Sequence, residues 1–205
     1  MRKAGYAEQY RRRNRVAGGF SNGPNGLVRG PPRIADRNDS VDDHAEKRFQ
    51  NLVALLDYPL AIVTTVAGGE RAGCLVGFLT QCCINPPRYL VCLSKKNRTF
   101  RVAAGGAQFL AVHFPAQEDE RLARLFGSET GDDIDKFAHC AWEEGPHGIP
   151  LLTSCPNRFV GRVSDRVDFG DHEGFVLEPS AAASSEGFIQ FGFQRGKTME
   201  PGHPP

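Results

Sequence analysis

The chain has 205 residues, 25 Lys and Arg against 24 Asp and Glu, and 40% hydrophobic residues. That length suits one good-sized domain with tails, and no run of about 18 apolar residues offers a membrane span. Charge is unevenly placed: residues 1–35 carry eight Lys/Arg against Glu8 alone, or +7, and the remainder carries −6.

The six cysteines (Cys74, Cys82, Cys83, Cys92, Cys140 and Cys155) include no CxxC pair. That argues against a zinc ribbon or a thioredoxin-type site. Their apolar settings read as buried, reduced thiols of a cytoplasmic protein. No apolar segment follows the first arginines, so no secretory signal is expected and the sequon Asn97-Arg98-Thr99 is read as unused.

Residues 1–40 are rich in Arg, Gly, Asn and Pro and read as a disordered basic tail. The cluster Arg11-Arg12-Arg13-Asn14-Arg15 is of a kind that touches nucleic acid or an acidic surface. Without interleaved aromatics or a reader motif, a solvated tail is the better reading. A folded domain is expected over 41–195, with a polar tail over 196–205. Ser40 and Asp43 suit a helix N-cap, and Phe49, Leu52, Val53 and Leu56 recur at helical spacing before Pro59. Residues 60–67 and 72–80 predict a hairpin around Gly68-Gly69-Glu70-Arg71.

The run over 72–100 organises the rest. An apolar segment (Cys74, Leu75, Val76, Phe78, Leu79) leads into a polar corner, Thr80, Gln81, Cys82 and Cys83. Asn85-Pro86-Pro87 breaks the chain, because proline fixes φ and donates no N–H. An alternating strand over 88–94 follows and ends in Ser94, Lys95, Lys96, Asn97, Arg98 and Thr99. Such donors beside cations suit a phosphate, and a solvated basic loop is the alternative.

Beyond it, 100–104 reads as a short helix and 107–114 as a strand. Pro115 opens a helix carrying Leu122, Leu125 and Phe126, and 127–135 reads as an acidic loop. An irregular stretch with His139, Trp142 and His147 runs to Pro150. The clearest alternation, over 159–169, marks a half-exposed strand that turns at 170–174 and returns over 175–178. Phe188, Gln190, Phe191 and Phe193 suggest a last short strand. About seven short strands with few helices predict a closed or nearly closed antiparallel barrel, and no GxGxxG or Walker A motif occurs.

Among candidate site residues, His113 alternates with apolar neighbours and reads as a core histidine. His139, Cys140 and His147 match no zinc spacing, so no metal is expected. His172 reads either as a titratable site residue or as a turn residue capping a strand pair.

In their order, Gly73, the corner 80–83, Asn85-Pro86-Pro87, the strand 89–93, the turn 95–99, Lys136-Phe137, Gly148-Ile149-Pro150-Leu151 and Gly170-Asp171-His172 resemble the flavin reductase-like family. The resemblance spans about 57–179. It implies a mainly β fold, a six- to seven-stranded antiparallel split barrel of Greek-key type with a few short peripheral helices. It implies FMN as cofactor, with FAD or a deazaflavin as alternatives, and NAD(P)H as co-substrate. Gly77, Thr80, Gln81, Cys82 and Cys83 would lie along the flavin. Lys95, Asn97, Arg98 and Thr99 would hold its phosphate, and His172 would approach the nicotinamide.

This chain departs from the family pattern at Cys82 and Cys83, where hydroxyl-bearing residues are frequent, and at Gly77, where a small polar one is. A homodimer and a partner monooxygenase are further implications. Two functions follow: a flavin reductase, or a flavin- or deazaflavin-binding protein with little NAD(P)H turnover.

Overall fold

The computed structural model describes residues 43–202. The basic N-terminal tail, the Ser40 cap and the last three residues lie outside the described residues. Strands β1 (Ala61–Ala67) and β2 (Glu70–Val76) form the expected hairpin. Gly68 and Gly69 sit at φ of +57° and +80°, the two left-handed positions of a tight turn whose twist matches its strands.

Strands β3 (Leu79–Ile84), β4 (Pro87–Ser94), β5 (Phe109–His113), β8 (Arg158–Asp168) and β9 (His172–Ala183) complete one antiparallel sheet. Its order is β2-β1-β5-β8-β9-β4-β3. Strands β6 (Trp142–Glu144) and β7 (Pro150–Leu152) pair separately, inside the stretch read as irregular.

That order sets a hard constraint. The edge strands β2 and β3 lie six inter-strand steps apart, about 29 Å on a flat sheet at roughly 4.8 Å per step. In sequence only Gly77 and Phe78 separate them, a link that reaches about 11 Å. The sheet therefore curls until its edges face each other. Among the described residues no β2–β3 ladder joins them, so the expected closure is incomplete.

Other expectations need correction at the same place. A single strand over 72–80 is instead broken at Gly77-Phe78. The corner 80–83 is instead the body of β3, with a register shift between Gln81 and Cys83. Pro87 opens β4, a position that needs no ladder N–H. The last strand over 188–193 shrinks to isolated bridges, Ala116 with Gln190 and Pro59 with Gly192.

Helix α1 (Asp43–Val53) forms as expected, but Phe49, Leu52, Leu55 and Leu56 are at least half exposed on or just beyond it. Helix α2 (Arg98–Ala104) starts at Asn97, whose side chain accepts from Thr99 N–H at 2.8 Å, an N-cap. Helix α3 (Glu120–Gly127) begins five residues after Pro115 and buries Leu122, Ala123 and Phe126. Helix α4 (Phe193–Gly196) is a single turn.

The core has two main clusters. Val63, Val91, Leu93, Leu110, Val112, Phe175 and Leu177 fill the inside of the curled sheet. Ile62, Phe126, Phe137, Leu152 and Cys155 pack α3 against its outside. Between them Lys136 is buried, donating to Gly73 O at 3.3 Å and to Phe126 O at 3.1 Å. Its ammonium thus meets one carbonyl in the last turn of α3, where the helix dipole favours a cation, and one in β2.

Two outcomes check this packing. A Cβ on Gly73 falls 2.7 Å from Cε1 of the buried Phe126 ring. Gly73→Ala is therefore expected to cost about 1–3 kcal/mol in urea melts. His113 is fully buried, with Nδ1 3.1 Å from Ile62 O and Nε2 accepting Leu152 N–H at 3.1 Å. The second bond makes Nδ1 the protonated nitrogen.

Burial lowers the His113 pKa to about 4 against an ordinary 6.5. Its neutral form stabilises the fold above pH 6.5, and that contribution drains away as pH falls toward 4. Across that window the protein is expected to lose about 3 kcal/mol more than His113→Gln does, read from urea midpoints at each pH.

Candidate functional site

Where the end of β2 and the Gly77-Phe78 link pass the end of β4, the molecule has a cavity of about 370 Å³, within the range of small-molecule sites. Its floor is the end of β2 (residues 74–76) with Gly77 and Phe78. One side is the end of β4 (residues 92–94) with Asn97 and His172. The other side is Tyr58, Leu60 and the segment 193–201. Cys92 N–H donates to Phe78 O at 2.8 Å and fixes the link against β4.

The cavity is apolar below and polar at one rim. Cys74 and Cys92 line it, and burial pushes both thiols above their ordinary pKa, so they stand as neutral groups. Ser94, Asn97 and His172 supply the polar rim. His172 Nδ1 lies 2.9 Å from Asp171 Oδ1, and that contact holds the carboxyl below its usual range. A carboxylate only accepts, so Nδ1 donates to it and Nε2 is the nitrogen left for a ligand. The imidazole also meets the Phe78 ring edge-on at 5.1 Å.

The structure thus brings Gly77, Asn97 and His172 together around one cavity. Thr80, Gln81, Cys82 and Cys83 lie outside that lining, on the neighbouring edge strand β3. Edge strands carry unpaired N–H groups, so β3 keeps backbone donors, and Gln81 Nε2 donates to Cys83 O at 3.1 Å. Cys82 is exposed and Cys83 partly so.

The cationic turn splits. Lys95 pairs with Asp168 at 2.7 Å, and Arg98 pairs with Glu70 at 2.7 Å and also donates to Gly131 O. Arg101 pairs with Asp132 at 2.5 Å. Thr99 is buried against the Cys74 thiol, and Arg98 and Thr99 line a separate small cleft with Lys136.

A flavin, a flat and largely apolar ring with an anionic chain, fits the cavity and its polar rim. The cations of the adjoining turn are already paired with carboxylates. Exposed ion pairs of this kind hold only about 0.2–1 kcal/mol, so a phosphate making charge-assisted bonds competes with them.

The residues missed by sequence reading include Phe78, Cys74, Cys92 and Ser94 on the sheet side and Tyr58, Leu60, Phe193, Lys197 and Met199 on the side formed by the C-terminal segment. Neither helical nor strand periodicity marks that segment. The only local signal was the pair of aromatic residues Phe191 and Phe193.

Against known families, the profile described as "Flavin reductase like domain" matches residues 53–197. The chain belongs to that family. It is 29% identical over 133 residues to the FMN reductase (NADH) RutF of Bradyrhizobium diazoefficiens, covering 65% of this chain and 73% of that one. It is 31% identical over 145 residues to the reductase component of the 4-nitrophenol 4-monooxygenase/4-nitrocatechol 2-monooxygenase of Rhodococcus opacus, covering 71% and 75%. Among solved structures, the NADH:FAD oxidoreductase SgcE6 of Streptomyces globisporus superposes with a TM-score of 0.67 at 21% identity, over 82% of this chain and 95% of that one. At that identity the likeness supports the fold alone.

Proposed function

We propose that the protein is a flavin reductase that oxidises NADH and reduces FMN. The observation that carries this reading is the cavity beside the Gly77-Phe78 link, in a chain of this family whose relatives are named FMN reductases using NADH. A bound flavin supplies the two-electron acceptor, and the protein's work is binding, orientation and electrostatics. Gly77 and Phe78 form the floor for the ring, with the edge-strand donors of Gln81, Cys82 and Cys83 beside it. Lys95, Asn97 and Arg98 hold the phosphate, and Thr99, buried, fixes the turn. His172, oriented by Asp171, presents Nε2 toward the nicotinamide.

The wider reading follows. Residues 41–195 form one split-barrel domain, and the segment after it, expected as a tail, supplies one side of the cavity. The apolar residues exposed on and just after α1 and at Phe78, Ile84 and Phe169 are the candidates for a homodimer contact. A two-component monooxygenase is a fitting acceptor, as the Rhodococcus relative's name illustrates. No helix among the described residues is long and apolar enough to cross a membrane, in keeping with a cytoplasmic enzyme. The neutralised cations of the turn favour FMN held loosely, as a substrate released after reduction.

Steady-state NADH oxidation with free FMN tests the reading. NADH consumption that depends on FMN and on the protein is expected. Lys95→Ala and Arg98→Ala should each raise the FMN KM about three- to tenfold with little change in kcat. Absence of protein-dependent oxidation with either NADH or NADPH sinks the reductase and leaves a flavin-binding protein with little turnover.

A further inference from the structure

Strand β3 carries two thiols that stand apart from the rest. Cys82 is exposed and Cys83 partly so. In Cys74, Cys92, Cys140 and Cys155 burial raises the thiol above its ordinary pKa, which keeps it protonated and slow to react. β3 is also last in the sheet order, so among the described residues no strand covers its outer edge.

In a regular strand neighbouring side chains point to opposite faces, which would keep Cys82 and Cys83 apart. The register of β3 against β4 removes that separation. Leu79 pairs with Val91 and Gln81 with Tyr89, on the face that turns to the core inside the curled sheet. Thr80, opposite Leu90, and Cys82, next after Gln81, therefore belong to the outer face. The register then slips by one residue, and Cys83 pairs with Arg88, the neighbour of core-facing Tyr89. Arg88 and Cys83 are thus on the outer face too. The bulge at Cys82 turns two adjacent thiols to the same side of an uncovered edge.

We propose that Cys82 and Cys83 form a peroxide-responsive modification site, a dithiol that closes reversibly to a disulfide. Peroxide oxidises the more exposed Cys82: its S–H and the O–O bond break, an S–O bond forms and one water leaves. The Cys83 sulfur then attacks that sulfenic sulfur. The S–S bond forms, the S–O bond breaks, and the departing hydroxide takes the Cys83 proton as a second water. In sum the two thiols give up two electrons and hydrogen peroxide takes them. Sequence neighbours hold their Cα atoms about 3.8 Å apart, short of the roughly 4.4–6.8 Å of ordinary disulfides, so the bond is strained and readily reduced again. That suits a switch better than a staple.

The source of peroxide rests on the reductase reading, because reduced flavin released into aerated water passes its electrons to O2 and yields hydrogen peroxide. Closing the ring twists the peptides over 81–83, whose edge-strand N–H groups lie beside the flavin in that reading. It also displaces the Cys83 carbonyl that Gln81 Nε2 holds at 3.1 Å.

The test treats the full-length protein with hydrogen peroxide, blocks remaining thiols with N-ethylmaleimide and reads peptide masses. The peptide holding residues 82 and 83 is expected to lose two hydrogens, to escape the block and to recover both thiols in dithiothreitol. Cys83→Ser should stop at the sulfenic acid, trapped by dimedone at Cys82, and Cys82→Ser should trap none. Thermal melts show that both variants fold. NADH oxidation with FMN should slow several-fold on peroxide treatment and return with dithiothreitol. Cys82→Ser, measured against its own untreated rate, should lose that response.

Both thiols still free after peroxide, a disulfide to any other cysteine or to a second chain, or irreversible sulfinic acid at Cys82 overturns the site. An unchanged rate in fully oxidised protein overturns its link to flavin reduction. Because peptide masses need no turnover, they judge the thiol pair alone, whereas absence of NADH oxidation counts against the reductase.

Discussion

Two residues, Gly77 and Phe78, join the opposite edges of a seven-stranded sheet, and the rest of the structure follows from that short tether. A flat sheet cannot satisfy it, so the sheet rolls up and brings β2 against β4. Rolling creates an interior, and Val63, Val91, Leu93, Leu110 and Phe175 fill it. The two edges then approach without pairing, because the link spends its length crossing the gap. Cys92 N–H reaches Phe78 O and extends the β3–β4 ladder by one bond, after which the chain diverges into β2. The cavity lies in that divergence. Function here is a by-product of incomplete closure: a fully laddered barrel would have side chains where this protein has space.

Electrostatics tune the same place. The turn after β4 has the composition of an anion site, yet its cations face Asp168, Glu70 and Asp132. Exposed pairs are weak, so under the proposed reading they would lower the affinity for a phosphate without abolishing it. Such an arrangement suits a ligand that comes and goes. Lys136 shows the contrasting case, a buried amine held by two carbonyls and lowered in pKa by burial, which serves packing between α3 and β2.

Local chemistry made much of this readable in the sequence. Two adjacent glycines after the β-branched run of β1 announced the β1–β2 hairpin, and alternation over 159–169 announced β8. His113 was recognisable as a core residue because it alternates with apolar neighbours. The order of short motifs from Gly73 to His172 pointed to the family. What escaped was non-local. Nothing between Cys74 and Leu79 signals the break at Gly77-Phe78, since apolar residues continue across it. Arg98 looked available for phosphate because Glu70 stands 28 residues away. Helix α1 has the stripe of a buried helix, yet Phe49 and Leu52 lie exposed on it. The C-terminal side of the cavity was invisible because an aperiodic polar segment reads as a tail until tertiary hydrogen bonds pin it.

The central claim is that the cavity beside the Gly77-Phe78 link holds the flavin. The most direct measurement is a crystal structure of the protein with FMN. The account predicts the flavin ring against Gly77 and Phe78, within reach of His172, with its phosphate toward Lys95 and Asn97. A ring bound elsewhere, for example in the cleft beside Arg71 and Arg98, would contradict it.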